Sequence, residues 1–301
     1  MIFLYALGVA LLAFLVSVTI ILLLIGPTLL LLPRRRHADY YHNLGLPVTP
    51  SELHLPYEEI NIIVDGSLKL NSWLIKAEKP IGTIIYLHGV GDCKIDGLRF
   101  ANLMHDHHYN VFLYDSRRHG LSDGAFCTYG YYEKDDVKTI IDYLSSRNDI
   151  APGKFGIFGT SMGAAVAIQA ASIDKRIVAV IAENSFATLR TIFDDYQKRM
   201  IKLSFHYLRN LVIIRSELKA DFKARDVSPL RAITTIHVPI LIIYGTQDHL
   251  INHHYSLRLY EYANQPKDIF PIEGAHHNDT WKIAGTAYEK KLLEFFERNL
   301  S

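Results

Sequence analysis

Charge is missing from the first 32 residues: Met1 to Leu32 holds no Asp, Glu, Lys or Arg. Cysteine is scarce, with Cys93 and Cys127 the two in 301 residues. That excludes a disulfide-stapled scaffold, and their spacing makes no metal site. So low a count fits a reducing compartment. Neither charge sign dominates, with 32 Lys+Arg against 31 Asp+Glu, so the basic face of a nucleic-acid binder is absent and no such partner is expected. Internal repeats and low-complexity tracts are also lacking. What is present is apolar: 49% of the residues are hydrophobic, and the part beyond the N-terminal run is long enough for one large domain.

A bilayer core of about 30 Å is spanned by about 20 apolar residues, and Ile2 to Ile25 meets that length. Gly26-Pro27 predicts a break at its end. A cleaved signal would carry a basic flank before a shorter apolar core; here no Lys or Arg precedes the run. Arg34, Arg35 and Arg36 follow it directly. The positive-inside rule then expects a single-pass anchor with the following domain facing the cytoplasm. The expected organisation is an anchor with its basic flank (1–36), a linker (37–56) and a folded domain (57–301).

Within that domain, short apolar runs alternate with amphipathic stretches. Ile60 to Val64 and Leu70 to Ile75 flank Asp65-Gly66, a hairpin signal. Further runs occur at Thr83 to Leu87, Asn110 to Tyr114, Phe155 to Phe158, Ile177 to Ile181, Ile240 to Tyr244 and Ile269 to Ile272. Nearly continuous runs of this kind suit strands buried on both faces. Helical spacing appears in Val137, Ile140, Ile141 and Leu144, and in Tyr288, Leu292, Phe295, Phe296 and Leu300. The alternation predicts an α/β fold: a mostly parallel sheet of about eight strands with helices on both faces. Residues 186–236 lack a strand-like run and hold aromatics such as Phe205, Tyr207 and Phe222. They are expected to form a helical cap insertion, with a long crossover as the alternative.

The sharpest motif is Gly159-Thr160-Ser161-Met162-Gly163, between a strand run and the Ala-rich stretch Ala164 to Ala171. This is the setting of a nucleophile elbow, where a tight turn exposes a serine and flanking glycines let the backbone pass. Serine is a weak nucleophile unless a base, itself oriented by a carboxylate, takes its proton. In chain order, Asp248 follows the run Ile240 to Tyr244 and His277 follows the last strand run. Asp248 is the expected acid, with Glu183 as rival; His277 is the expected base, with His276 as rival. His88-Gly89-Val90-Gly91 follows another strand run, and the Val90 and Met162 amides are the expected oxyanion donors. His88, Gly89 and Cys93 are candidate pocket residues. His105, Asp106, His107 and His108 read as a solvated loop rather than a metal site, and His253-His254 as surface. Arg117 and Arg118 are expected to brace a loop. No metal and no organic cofactor is expected.

Over about residues 57 to 300 the sequence resembles the α/β-hydrolase superfamily, and within it the membrane-linked BEM46-like and serine-aminopeptidase (S33)-like groups. The resemblance rests on Asp65-Gly66 with Trp73, His88-Gly89, the run from Tyr114 to Ser122, the elbow, Asp226-Val227-Ser228-Pro229 and the loops of Asp248 and His277. It implies Ser161 as nucleophile, Asp248 as acid and His277 as base. His276 stands where relatives commonly have the second glycine of Gly-x-Gly-His. The expected activity is cleavage of carboxylic esters or thioesters, lipid or acyl substrates among them, through an acyl-enzyme on Ser161. A peptidase acting on short peptides is the alternative, and a non-catalytic membrane-tethered scaffold is the alternative of another class. The expected partners are a small-molecule acyl or lipid substrate and, through the N-terminal helix, the lipid bilayer.

Overall fold

A computed structural model describes residues 1–150, 154–201 and 206–300. The first two runs of the domain form the expected hairpin, β1 (Tyr57–Val64) and β2 (Leu68–Ile75). They are antiparallel and joined by a turn in which Asp65 and Gly66 both take positive φ and the Ser67 N–H donates to the Val64 carbonyl. The remaining strands are β3 (Gly82–Leu87), β4 (Tyr109–Tyr114), β5 (Phe155–Thr160), β6 (Ile177–Glu183), β7 (Ile240–Gly245) and β8 (Lys267–Ile272). The sheet order is β1-β2-β4-β3-β5-β6-β7-β8. Strands β3 to β8 pair in parallel, and β2 meets β4 antiparallel.

The helices are α1 (Ile2–Leu31), α2 (Ala38–His42), α3 (Leu98–Asp106), α4 (Glu133–Ser145), α5 (Met162–Ala171), α6 (Leu189–Ile201), α7 (His206–Ala220), α8 (Pro229–Ala232), α9 (His254–Tyr262), α10 (Thr280–Ala284) and α11 (Thr286–Leu300). The central strands are buried on both faces, as continuous apolar runs require. One face packs Ile85 and Ile157 with Val137, Ile140 and Ala164 of α4 and α5. The other packs Ile84 and Phe158 with Phe100 of α3 and Phe296 of α11. Among the described residues, the chain between β6 and β7 forms helices and short 3-10 turns without a strand. Phe205, expected within it, lies outside the described residues. Helix α6 reaches over the loop after β7, where Arg199 donates to the Leu250 carbonyl at 2.7 Å.

The N-terminal run differs from expectation at Gly26-Pro27. No break occurs there: α1 continues through Pro27 to Leu31. Proline removes one backbone donor, and packing offsets that loss. Gly26 and Pro27 are buried, and a Cβ at Gly26 would stand 2.7 Å from Val212 Cγ2 of α7. Glycine therefore permits the two helices to touch. Helix α1 is long and apolar enough to cross a membrane. Residues 37–56 lie against the fold, with Tyr41, Pro50 and Leu55 buried.

Candidate active site

In an open α/β sheet, ligands gather at the carboxyl ends of the strands, where the strand order reverses. Here β3 runs between β4 and β5, so the loops after β3 and β5 diverge to open a crevice. Ser161 follows β5 and leads into α5. Its backbone has φ 54° and ψ −114°, a conformation that costs about 1–3 kcal/mol for a non-glycine residue. The neighbouring glycines are there for space. A Cβ at Gly163 would lie 2.0 Å from the Leu87 carbonyl oxygen, and one at Gly159 would lie 2.2 Å from that of Gly163.

The Ser161 Oγ lies 2.9 Å from His277 Nε2, and His277 Nδ1 lies 2.6 Å from Asp248 Oδ2. A carboxylate only accepts, so Nδ1 carries the hydrogen and Nε2 is left to accept from the serine hydroxyl. Asp248 is held in turn: its Oδ1 accepts from the N–H groups of Leu250 and Ile251 at 2.7 and 2.9 Å. Such a chain of hydroxyl, imidazole and carboxylate can turn an alcohol into a nucleophile.

The two rivals sit elsewhere. His276 is exposed, with Nδ1 2.7 Å from the Gln247 carbonyl and its ring against His249. Glu183 is buried, accepting from the Thr280 hydroxyl at 2.6 Å and from the Tyr288 hydroxyl. Burial raises its carboxyl above the usual range. Its backbone carbonyl instead receives the Ser161 N–H at 2.8 Å.

The loop after β3 leans over the serine. A Cβ at Gly89 would come 3.5 Å from Ser161 Cβ. His88 is turned inward and kept neutral, donating from Nδ1 to the Gly89 carbonyl at 2.8 Å and accepting the Ser116 N–H on Nε2 at 3.0 Å. Burial lowers its pKa. Cys93 is buried behind the loop, its N–H donating to the Tyr41 hydroxyl at 3.3 Å. Burial pushes its thiol up to about 12. Met162 is buried at the start of α5. A cavity of about 400 Å³ opens beside the loop, with Leu29, Pro33, Arg34, Val90, Tyr129 and Tyr196 among its lining.

Three positioning groups escaped the sequence reading. Asp92 accepts from Arg36 and, at 3.1 Å, from the Tyr41 hydroxyl. The Arg36 N–H also donates to the Gly91 carbonyl at 2.9 Å. Residues just past the N-terminal helix thus pin the loop after β3. Asn184 joins two other loops, donating to the His277 carbonyl at 3.0 Å and accepting the Gly245 N–H at 3.1 Å. Lys94 and Asp115 form a buried ion pair at 2.9 Å, and Asp115 also accepts from the Lys94 and Leu121 N–H groups. Asp92, Asn184 and Lys94 stand in no pattern with a local meaning, and the run from Tyr114 to Ser122 does not reveal the partner of its Asp115. The one available signal was the basic run Arg34–Arg36, which composition alone assigns to a membrane flank.

The weaker clusters have structural places. Arg117 binds Asp136 of α4 and Asp65 of the β1–β2 turn, so it braces loops. His105 to His108 lie where α3 turns into β4, at the opposite ends of the strands from Ser161. Among the described residues, no group of three or more His, Cys, Asp or Glu is placed to hold a metal.

Comparisons with known proteins agree with this architecture. The protein called YqkD of Bacillus subtilis is 32% identical over 71% of this chain and 71% of its own. Protein bem46 of Schizosaccharomyces pombe is 27% identical over 83% of this chain and 80% of its own. The solved structure of the Pyrococcus furiosus esterase Pf2001 superposes with a TM-score of 0.73 at 25% identity, covering 89% of this chain and 99% of the esterase. Residues 78–235, just over half of the chain, match the family described as serine aminopeptidase, S33. With an eight-stranded, mostly parallel sheet and a serine at the turn after β5, the chain belongs to that family of α/β hydrolases.

Proposed function

We propose that the protein is a membrane-anchored serine hydrolase that cleaves carboxylic esters or thioesters with apolar acyl chains. The observation that carries this reading is the unbroken hydrogen-bonded chain from Ser161 through His277 to Asp248. Ser161 Oγ attacks the substrate carbonyl as His277 Nε2 takes its proton. Asp248 holds the ring and stabilises the imidazolium. The N–H groups of Val90 and Met162 are the proposed donors to the developing oxyanion, and the Met162 amide adds the favourable field of a helix N-terminus. His277 then protonates the leaving alcohol or thiol. A water, activated by the same imidazole, releases the acid and regenerates Ser161.

Two features support an apolar acyl substrate near a membrane. Helix α1 has the length and composition of a span, and its last turns supply Leu29 to the cavity beside Val90. The charged groups lining this cavity are Arg34 and Arg36. The arginines that follow α1 support a catalytic domain on the cytoplasmic side; a reporter fused after Ser301 should be active on that side alone.

The test is labelling of the full chain in membranes with a fluorophosphonate probe. Wild type should label. Ser161→Ala should lose all labelling and fall about 10⁴-fold or more in turnover of p-nitrophenyl esters. Turnover of aminoacyl amides without turnover of esters would overturn the ester assignment, and no labelling of wild type would overturn the enzyme.

A further inference from the structure

Helix α7 is apolar on two sides. Ile213, Ser216 and Ala220 are buried against the fold, and Val212 meets Gly26 of α1. Tyr207, Leu211, Ile214 and Leu218 recur at intervals of four, three and four, which places them in one stripe on the side away from the buried residues. Their exposure is large: Tyr207 71%, Ile214 51% and Leu218 72%. Exposed Arg215 and Lys219 run along one flank of the stripe. A stripe of this kind on a water-facing helix would be an aggregation liability. It is the pattern of a helix lying in a membrane interface, with an apolar face down and basic residues beside it.

The helix that carries the stripe packs against α1, whose own surface is apolar and exposed. Helix α7 packs along the C-terminal part of α1, with Val212 at Gly26; Gly26 lies about 36 Å along the helix from Ile2 at about 1.5 Å per residue. That distance is close to the thickness of the hydrocarbon core, about 30 Å. The contact therefore falls at the water-side boundary of the bilayer if α1 spans it. Leu24, Ile25 and Leu29 of α1 are exposed at the same level.

We infer that α7 is a second membrane-contacting element, lying in the interface with Tyr207, Leu211, Ile214 and Leu218 against lipid. The partner is the lipid surface itself. Seated this way, the cavity beside Val90, which includes Leu29 and Pro33 in its lining, opens at the level of the headgroups. Its substrate would be a membrane-resident acyl ester, drawn sideways from the bilayer rather than from solution. This inference rests on the anchored reading of α1.

The experiment uses the full chain in vesicles of phosphatidylcholine containing phosphatidylglycerol. Cys93 and Cys127 are buried, so an added surface cysteine takes an environment-sensitive dye first. Leu218→Cys and Ile214→Cys report on α7, Leu15→Cys on the span, and Lys290→Cys on a remote surface where the side chain is 76% exposed. The α7 positions should be quenched by a nitroxide lipid at least about twofold more than Lys290→Cys and shielded from iodide. Quenching at Leu15→Cys with α7 positions that behave like Lys290→Cys would overturn the inference while leaving the anchor intact. No lipid quenching at Leu15→Cys would overturn the anchored reading and the inference with it. Shielding of α7 from iodide without lipid quenching would overturn it in favour of a protein partner. The double variant Ile214→Glu with Leu218→Glu should lose about tenfold in hydrolysis of a vesicle-borne ester and keep its turnover of water-soluble p-nitrophenyl acetate. Equal activity of the double variant on both substrates would also overturn the inference.

Discussion

Asp92 shows how much one side chain can govern without touching a reacting atom. Its carboxylate gathers Arg36 and Tyr41, and its own N–H donates to the Gly89 carbonyl at 3.2 Å. The loop so fixed carries Val90, a proposed oxyanion donor. Asp92→Ala should lower kcat for soluble esters about tenfold with little change in KM, because a donor misplaced by a fraction of an ångström weakens the transition state more than the ground state. Asp92→Asn, which still accepts from both partners, should recover part of the loss; equal losses in the two variants would show the effect to be structural. His119 makes a different prediction. It is fully buried, 5.0 Å ring to ring from His88, and donates to the Arg117 carbonyl at 2.9 Å. Burial, with His88 nearby, pushes its pKa down to about 3. The unfolded chain takes up that proton near the usual histidine value of about 6.5. Between these limits the unfolded state binds more protons, so stability is full above about pH 6.5 and falls as the pH falls towards 3. The loss from this group at about pH 5 is about 2 kcal/mol. Urea titrations at about pH 7.5 and 5 should show that difference, and His119→Asn should shrink it.

At the scale of elements, the buried Lys94–Asp115 pair ties the turn after β3 to the loop after β4. Lys94 Nζ also reaches Asn71 Oδ1 of β2 at 2.5 Å. Asp115→Ala leaves a buried ammonium without its counter-charge and should destabilise the fold by about 3–5 kcal/mol, read by urea denaturation. This pair was invisible in the sequence because its partners come from different loops and neither has a periodic neighbour. The strands were legible for the opposite reason. Ile84, Ile85 and Val111 are buried on both faces of the sheet, and that burial writes itself as an unbroken apolar run. The elbow was legible because close backbone contact at Gly159 and Gly163 leaves no other residue room. Ser161, Asp248 and His277 followed from their positions after β5, β7 and β8. Which of two adjacent histidines faces Ser161 depends on the path of the loop after β8, and no pattern of residue types encodes it. The continuation of α1 through Pro27 was hidden for a similar reason, since the packing that compensates it comes from Val212, nearly two hundred positions along the chain.

The molecule as a whole differs from a globular enzyme on a tether, because the end of its N-terminal apolar helix is part of the fold. Leu31 is buried in the same core as α4 and α5. The Leu31 carbonyl accepts the Cys127 N–H at 2.9 Å, and the Leu30 carbonyl accepts the Tyr129 hydroxyl at 2.9 Å. Arg35 reaches the Ser122 carbonyl at 3.1 Å and Arg36 reaches Asp92, so two of the three arginines after α1 face inward onto the domain. Removing α1 therefore has a cost that depends on where the cut falls. A chain starting at Gly26 keeps Leu30, Leu31, Arg36 and Tyr41. A chain starting at Asn43 loses them. Burial of Leu31 and Tyr41 contributes about 2 kcal/mol each, and the lost hydrogen bonds add about 1 kcal/mol each. The shorter chain should melt roughly 10 °C or more below the longer one in the same mild detergent. It should also show the reduced kcat of Asp92→Ala on a soluble ester, since the Arg36 and Tyr41 contacts to the loop are gone in both. Equal melting temperatures and equal kcat in the two truncations would show the N-terminal segment to be a tether and nothing more.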